Sequence, residues 1–185
     1  MKRSIPALLT TLRLLLGPLA LACALSGWPR WLFAPILLVA TLSDIYDGVL
    51  ARRFGVATPA LRRYDSVTDM LYYLFVLYST WLLCRERITS YWPLIVALLA
   101  SEALCIAISF ARFRRFPATH TYLAKLYGLA LLACFLALLA FDAPGGWVVL
   151  ACVVGLAANA EIVLILCRSP VAPVDVVSIF RAPRQ

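Results

Sequence analysis

Apolar residues in this chain form long uninterrupted runs, separated by short segments that hold the charged and turn-forming residues. A helix that crosses a membrane needs roughly 20 mainly apolar residues. Six runs of about that length lie near 8–27, 31–51, 66–84, 91–111, 122–141 and 146–167. The pattern predicts an all-α integral membrane protein with six transmembrane helices.

Composition agrees with this pattern. Of the 185 residues, 64% are hydrophobic and 14% are charged, whereas soluble domains are roughly half apolar and about one-quarter charged. We see no internal repeat and no low-complexity tract. We therefore expect a single transmembrane domain over residues 1–185, in which 168–185 is a cytoplasmic tail.

The basic residues predict the orientation, because Lys and Arg near the ends of spans are retained on the cytoplasmic side. With the N-terminus inside, the cytoplasmic side carries Lys2, Arg3, Arg52, Arg53, Arg62, Arg63, Arg112, Arg114, Arg115, Arg168, Arg181 and Arg184. The other side carries Arg30, Arg85 and Arg87. Both termini are thus predicted to be cytoplasmic, in a bacterial inner (plasma) membrane. Topology and anionic lipid headgroups explain the net charge of +8, and we expect no nucleic acid partner.

The N-terminus has some features of a signal peptide. Lys2 and Arg3 precede an apolar run, but Arg13 interrupts that run and Pro18 breaks it. We expect an uncleaved first helix.

Four aspartates occur where a membrane protein should have few acids. Asp44 and Asp47 lie near the cytoplasmic end of the second run, and Asp65 and Asp69 open the third. An aspartate at the centre of a span costs about 2.5–3.5 kcal/mol, so such acids are functional candidates. Residues three or four apart share a helix face, so each helix presents two carboxylates in one direction. Four converging carboxylates need compensating charge, and oxygen ligands suit two Mg²⁺ or Mn²⁺ ions. In the alternative interpretation the acids only pair with neighbouring arginines in a solvated network.

Small and basic residues next to the first acidic pair favour binding of a phosphorylated ligand. Gly48 follows Asp47 and leaves the helix backbone open to a bulky group, and Ala51 keeps the same face open. The guanidinium of Arg52 suits a diphosphate oxygen.

These residues resemble the signature of the CDP-alcohol phosphatidyltransferase family, DxxDGxxAR followed by GxxxDxxxD. The matching positions are Asp44, Asp47, Gly48, Ala51, Arg52, Asp65 and Asp69. Residues 5–13 also resemble the family's opening PNxxTxxR pattern. Two positions depart from the family: Leu61 stands where the second glycine is usual, and Ala7 replaces an asparagine.

The resemblance implies an active site and a reaction. Asp44, Asp47, Asp65 and Asp69 would hold two metal ions per active site, with Asp69 also acting as the catalytic base. The residues implied to contact the CDP donor are Gly48, Ala51, Arg52, Thr58 and Thr10. The expected reaction transfers a phosphatidyl group from CDP-diacylglycerol to a small alcohol and releases CMP. The family also implies a homodimer and a polar cavity among the six helices that opens to the cytoplasm.

The acceptor is expected to contact the second half of the chain. Arg112, Arg115 and Lys125 lie at one predicted cytoplasmic junction and could bind a phosphorylated alcohol such as glycerol 3-phosphate or an inositol compound. The arginines could equally belong to a positive-inside loop. Glu102 and Glu161 lie deeper in their spans, and each needs a partner, a water-filled cavity or a substrate hydroxyl.

Three alternatives to this function stay open. Leu61 and Ala7 motivate a catalytically silent family member that acts as a membrane binding protein, and Leu61 could also mark a different CDP-linked donor. A third alternative is an ion-translocating or metal-binding membrane protein, which predicts acids spread across the membrane depth.

Overall fold

The structure is a computed structural model, and it describes residues 4–56, 58–115, 117, 119, 121–173, 176, 178 and 179, without the side chains at 59, 60, 62, 63 and 66. The predictions for Lys2, Arg3, Arg181, Arg184 and the side chains of Arg62 and Arg63 lie outside these residues. The helices are α1 (Ile5–Leu25), α2 (Phe33–Arg53), α3 (Pro59–Ile88), α4 (Trp92–Phe113), α5 (Tyr122–Phe135) and α6 (Gly146–Arg168). No strand occurs in the described part of the chain, which confirms the all-α prediction.

Within the described residues, five helical segments are long and apolar enough to cross a membrane. They are Ile5–Leu25, Arg30–Arg53, Val67–Phe113, Tyr122–Ala140 and Gly146–Arg168. The 47-residue segment Val67–Phe113 contains both the third and the fourth predicted spans, because only the short 3₁₀ turn Thr89–Tyr91 separates α3 from α4. The prediction of a membrane protein is thus supported, with five candidate spans rather than six separate ones.

Glycines end the first two helices. Gly27 and Gly55 both have φ near +65°, the left-handed conformation that glycine adopts without a steric cost. After α1, the amide of Trp28 donates to the carbonyl of Cys23 at 3.1 Å. After α2, the amide of Val56 donates to the carbonyl of Ala51 at 3.0 Å. These bonds satisfy carbonyls that a helix end leaves without partners.

Helix α3 begins earlier than the hydrophobic run that was used to predict it. The hydroxyl of Thr58 accepts a hydrogen bond from the amide of Leu61 at 3.2 Å, and Pro59 is the first helical residue. A threonine cap followed by proline is a strong start signal for a helix. As a result, Asp65 lies well inside α3, whereas the hydrophobic pattern placed it at the start of the helix.

The chain divides into two compact units. The first contains Met1–Arg85 and Phe135–Pro144, and the second contains Glu86–Cys134 and Gly145–Gln185. The expectation of one transmembrane domain stays a prediction.

In the first unit, α1 and α2 pack closely through small residues. The buried face of α1 includes Gly17 and Ala20, and Ala40 of α2 is fully buried. A methyl group at Gly17 would lie 2.9 Å from Cδ2 of Phe75, so only glycine lets α3 approach α1 here. Small residues of this kind allow close helix packing where lipid surrounds a bundle.

The first unit also contains a kink and a π-helical turn, joined by one arginine. The backbone at Cys84 leaves the helical conformation, and Leu136–Ala140 form the π-helical turn. Arg30 donates to the carbonyls of Leu83 at 3.2 Å and Leu138 at 3.4 Å. Its guanidinium also pairs with Asp142. Irregular backbone inside a membrane protein needs such partners.

In the second unit, α4 packs against α6. A methyl group at Gly155 of α6 would lie 2.6 Å from both Leu98 and Tyr127, so this glycine sets the helix separation. Polar contacts in the same unit join Asn159 to Ser101 at 2.8 Å. The guanidinium of Arg112 donates to the carbonyl of Ser169 at 3.4 Å and to that of Leu166 near the end of α6, where a cation is favourable.

Candidate metal and transfer site

Four aspartate side chains of the first unit gather around one guanidinium group. Asp44 and Asp47 lie on one face of α2, and Asp65 and Asp69 lie on one face of α3. Arg13 of α1 forms an ion pair with each of them. The predicted convergence of the four carboxylates is present in the structure.

The contacts divide evenly between the two terminal nitrogens of Arg13. Nη1 pairs with Asp44 and lies 2.6 Å from Oδ1 of Asp69. Nη2 pairs with Asp65 and donates to Oδ2 of Asp47 at 3.0 Å. One arginine thus contacts carboxylates from both neighbouring helices.

The aspartates differ in depth. The side chain of Asp47 is only 5% exposed, those of Asp69 and Asp65 are 33% and 35% exposed, and that of Asp44 is 50% exposed. Arg13 is buried. The site therefore has a closed side at Asp47 and an open side at Asp44.

Thr10 holds the most buried aspartate. Its hydroxyl lies 3.0 Å from Oδ2 of Asp47 and also 3.0 Å from the carbonyl oxygen of Pro6, one turn earlier in α1. Thr10 is 1% exposed, so no water competes for these contacts. The family resemblance placed Thr10 among the donor contacts, which stays a prediction, and the structure gives Thr10 a direct contact with Asp47.

These residues fit a divalent metal ion. Carboxylate oxygens of Asp44, Asp47 and Asp65 lie within 4.8 Å of one another. Oδ1 of Asp69 is buried and has no aligned hydrogen bond within the described part of the chain, although Arg13 lies close to it. Buried oxygens of this kind need a partner, and Mg²⁺ and Mn²⁺ prefer oxygen ligands.

The face of α2 beside the aspartates is open. Among the described side chains, only the guanidinium of Arg52 lies near the position that a Cβ of Gly48 would occupy, with its terminal nitrogens at 3.8 and 3.9 Å. Ala51 is buried and Arg52 is exposed. A phosphorylated ligand at Gly48 would therefore meet bare backbone and a guanidinium that solvent can reach.

The other predicted binding residues have structural contacts of their own. Thr58 is exposed and caps α3. The ammonium group of Lys125 lies 5.6 Å from the ring centre of Tyr122. The carbonyl of Arg115 accepts a hydrogen bond from Ser109 at 2.7 Å. The roles of Lys125, Arg112 and Arg115 toward an acceptor stay predictions.

Glu102 and Glu161 each have a partner within the second unit. The hydroxyl of Tyr127 donates to Oε1 of Glu102 at 2.7 Å. The backbone amide of Ile179 donates to Oε1 of Glu161 at 3.1 Å, which ties the C-terminal segment to α6. Oε2 of Glu161 is buried and has no hydrogen-bond partner among the described residues, so the structure explains Glu102 more completely than Glu161.

Sequence reasoning missed Arg13. Arg13 interrupts the first apolar run and occupies the arginine position of the PNxxTxxR pattern, but the sequence assigns it no role in the site, whereas in the structure it contacts all four aspartates. A usable signal was present, because an ionisable residue inside a span needs a partner and Arg13 lies three residues after Thr10 on one face. The four aspartates were the available partners.

The fold and the site define a class of protein: an all-helical membrane protein with an aspartate cluster suited to metal. Residues 3–164 match the family described as CDP-alcohol phosphatidyltransferase. Because the match covers most of the chain, the protein belongs to this family, as the motif resemblance indicated. Neither the curated proteins nor the solved structures contain a match to the chain.

Proposed function

We propose that the protein transfers a phosphatidyl group from CDP-diacylglycerol to a small alcohol, such as glycerol 3-phosphate or an inositol compound, and releases CMP. The observation that carries the proposal is the convergence of four aspartates from α2 and α3 on one point, in a chain that belongs to this family. Transfer of this kind depends on positioning and charge neutralisation more than on covalent help from the protein. A site of clustered carboxylates suits that task.

The metal ligands in this proposal are Asp44, Asp47, Asp65 and Asp69, which would hold two Mg²⁺ or Mn²⁺ ions. When bound, the ions would neutralise the donor diphosphate and stabilise the departing CMP. Thr10 would fix the orientation of the Asp47 carboxylate through its hydroxyl. Partners of this kind keep metal ligands in place.

The donor would lie along the open face of α2. Gly48 leaves room for the diphosphate, and Arg52 would bind one of its oxygens. Ala51 is buried, so its contact with the donor rests on the family resemblance alone. The family resemblance adds Thr10 and Thr58 to the donor contacts. The support for this arrangement is that, among the described residues, the group nearest to the missing Cβ of Gly48 is the Arg52 guanidinium.

Asp69 would act as the base. Its Oδ1 atom is buried and lies 2.6 Å from Nη1 of Arg13, without an aligned hydrogen bond in the described part of the chain. It would accept the proton of the acceptor hydroxyl, whose oxygen then forms a bond to the lipid-side phosphorus. The bond between that phosphorus and the CMP oxygen breaks, and CMP leaves with the bonding electrons. We propose that Lys125, Arg112 and Arg115 contribute to acceptor binding.

The membrane arrangement is also a proposal: six spans around a cavity that opens to the cytoplasm, both termini cytoplasmic, in the bacterial inner membrane, as a homodimer. At 1.5 Å per residue the segment Val67–Phe113 is about 70 Å long, more than twice the roughly 30 Å thickness of the hydrocarbon core. It therefore has enough length for two crossings. The excess of basic residues on one predicted side supports the orientation.

Clustering of the acids favours this function over ion translocation. A translocation pathway predicts acids spread through the membrane, whereas the four aspartates all lie against one guanidinium. Glu102 and Glu161 each have a protein partner.

The test is CMP release from CDP-diacylglycerol by purified protein with Mg²⁺ or Mn²⁺. The acceptors to compare are glycerol 3-phosphate, inositol phosphate, inositol, serine and phosphatidylglycerol. Asp69→Asn should abolish release, because it removes the base and a metal ligand. Asp142→Asn is the matched control, since Asp142 pairs with Arg30 and its φ of 55° suits asparagine.

Acceptor-dependent release that Asp142→Asn retains and Asp69→Asn loses would establish the reaction and identify the product. If folded, metal-binding protein gave no release with any acceptor, the proposed reaction would be wrong. A catalytically silent binding protein or a different CDP-linked donor would then explain the site.

A further inference from the structure

Arg13 is a buried cation in the middle of a membrane-length helix. It is 2% exposed, and α1 is otherwise apolar apart from small hydroxyl groups. A buried charge of this kind persists only where it is paired. Its partners are the same four aspartates that the proposed function assigns to metal.

The formal charges show that the four aspartates cannot be fully neutralised by Arg13 alone. Four carboxylates carry −4 and Arg13 carries +1, which leaves −3 among these side chains when all are ionised. Each carboxylate has an oxygen within ion-pair distance of the guanidinium. Arg13 and a divalent cation would therefore compete for the same carboxylates.

The four aspartates differ in solvent exposure, so a cation entering from solvent would reach them in a fixed order. Asp47 is 5% exposed and also bonded to Thr10, so its contact with Arg13 is shielded from solvent. Asp44 is 50% exposed and lies at the open side of the site. An entering ion would meet Asp44 first and Asp47 last.

We propose that Arg13 is the built-in counter-cation of the aspartate site. It holds the four carboxylates together when no metal is bound. When a divalent cation enters, Arg13 gives up the more exposed carboxylates, Asp44 first, and keeps Asp47. Arg13 thereby sets the metal affinity of the site and acts as a positioning residue. This inference rests on the metal centre of the proposed function.

The test measures metal affinity rather than activity. Mn²⁺ is titrated into the purified full-length protein, and free Mn²⁺ is measured by electron paramagnetic resonance. Arg13→Gln should bind Mn²⁺ about ten-fold tighter or more than wild type, because a competing positive charge within 4 Å has been removed. In a chelator, Arg13→Gln should melt at a lower temperature than wild type, and Mn²⁺ should raise its melting temperature by a larger amount.

Arg30→Gln is the matched control. Arg30 belongs to the same unit and pairs with an aspartate, but none of its described contacts involves the four aspartates of the site. Its removal should lower the melting temperature and leave the Mn²⁺ affinity at the wild-type value. This control distinguishes a general effect of removing an arginine from the specific effect of removing the cation that competes with Mn²⁺.

Arg13→Lys keeps the test decisive if Arg13→Gln does not fold. A single ammonium nitrogen keeps the charge but cannot replace two separate guanidinium nitrogens. Its Mn²⁺ affinity should lie between those of wild type and Arg13→Gln, and its melting temperature in chelator should fall and recover with Mn²⁺. An Arg13→Lys protein that melts like wild type in both conditions would overturn the inference.

Two other results would distinguish failure of the Arg13 inference from failure of the proposed metal centre. If wild type binds Mn²⁺ and Arg13→Gln binds it equally or more weakly, Arg13 is not a competing cation, although the metal centre stands. If wild type and all variants bind no Mn²⁺, the metal centre fails and this inference fails with it.

Discussion

The hydroxyl of Thr10 donates to Oδ2 of Asp47 at 3.0 Å, and this bond joins α1 to the most buried member of the aspartate cluster. The same oxygen accepts a hydrogen bond from Arg13, also at 3.0 Å. Two residues one turn apart on α1 therefore fix one carboxylate oxygen from two directions. In the proposed metal centre, Oδ1 of Asp47 would remain available as a ligand, since both of these hydrogen bonds are to Oδ2.

Thr10→Val should weaken metal binding. Valine keeps the shape of threonine but cannot donate the hydrogen bond to Asp47, and loss of such a supporting bond costs about 10–100-fold in metal affinity. Thr11→Val is the control, since the Thr11 hydroxyl contacts the carbonyl of Ala7 and the hydroxyl of Tyr64 instead. Mn²⁺ titration of both variants measures the effect. Equal affinities for the two variants would show that Thr10 does not orient the ligand.

Gly48→Ala should weaken binding of the CDP donor without preventing the protein from folding. Among the described residues the new methyl group would contact Arg52 alone, at an ordinary distance of 3.8 Å, so the protein should fold. Replacing a helical glycine by alanine stabilises a helix by roughly 0.5–1 kcal/mol. A ligand lying on the bare backbone would be displaced, which should raise the KM for the CDP donor about ten-fold or more.

Gly146→Ala is the control for that experiment, because a methyl group at Gly146 would meet nothing within 4 Å and this residue lies in the other unit. Its KM for the donor should equal that of wild type. An unchanged KM in Gly48→Ala would mean that the donor does not lie along this face of α2.

Much of the site could be predicted because helical spacing fixes which residues share a face. Asp44 and Asp47 are three apart, and Asp65 and Asp69 are four apart, so each pair had to point in one direction. The position of Arg13 could not be predicted in the same way. Spacing within one helix does not say which residue of another helix packs opposite it.

Hydropathy predicted the helices better than their ends. The third apolar run predicts a helix that starts at residue 66, because the preceding residues are polar, but α3 begins at Pro59, directly after its cap at Thr58. Apolar runs indicate which residues can lie in the hydrocarbon core, whereas capping and turn residues indicate where a helix begins. The kink at Cys84 lies where the third apolar run ends and the charged residues Arg85, Glu86 and Arg87 follow. Hydropathy marks that change of composition but does not show that the helix continues through it to Ile88.

Arg30→Gln should destabilise the first unit. Its guanidinium supplies hydrogen bonds to the carbonyls of Leu83 and Leu138, beside the kink and within the π-helical turn, and an ion pair to Asp142. Loss of a hydrogen bond to a charged group costs about 1.5–3 kcal/mol. Thermal unfolding in detergent would measure the loss as a lower melting temperature.

Arg85→Gln provides the comparison for Arg30. Arg85 is exposed, and its guanidinium lies 5.3 Å from the ring centre of Trp81. An exposed contact of this kind is worth about 0.5–1 kcal/mol, so the melting temperature should fall less. Equal losses in the two variants would show that the kink and the π-helical turn do not depend on Arg30.

Leu61→Gly tests whether CDP-diacylglycerol is the donor. Leu61 is half-buried in the first turn of α3, at the position where the family has its second glycine. If CDP-diacylglycerol is the donor, removal of the side chain should raise kcat/KM, because the family's glycine makes room for the diphosphate.

Glycine inside a helix costs about 1 kcal/mol relative to alanine. Leu61→Ala therefore removes most of the bulk with a smaller cost in stability, and both variants should gain activity in the same CMP-release assay. A fall in kcat/KM in both variants, with folding retained, would mean that the leucine contacts the donor and that this donor differs from the family's usual one.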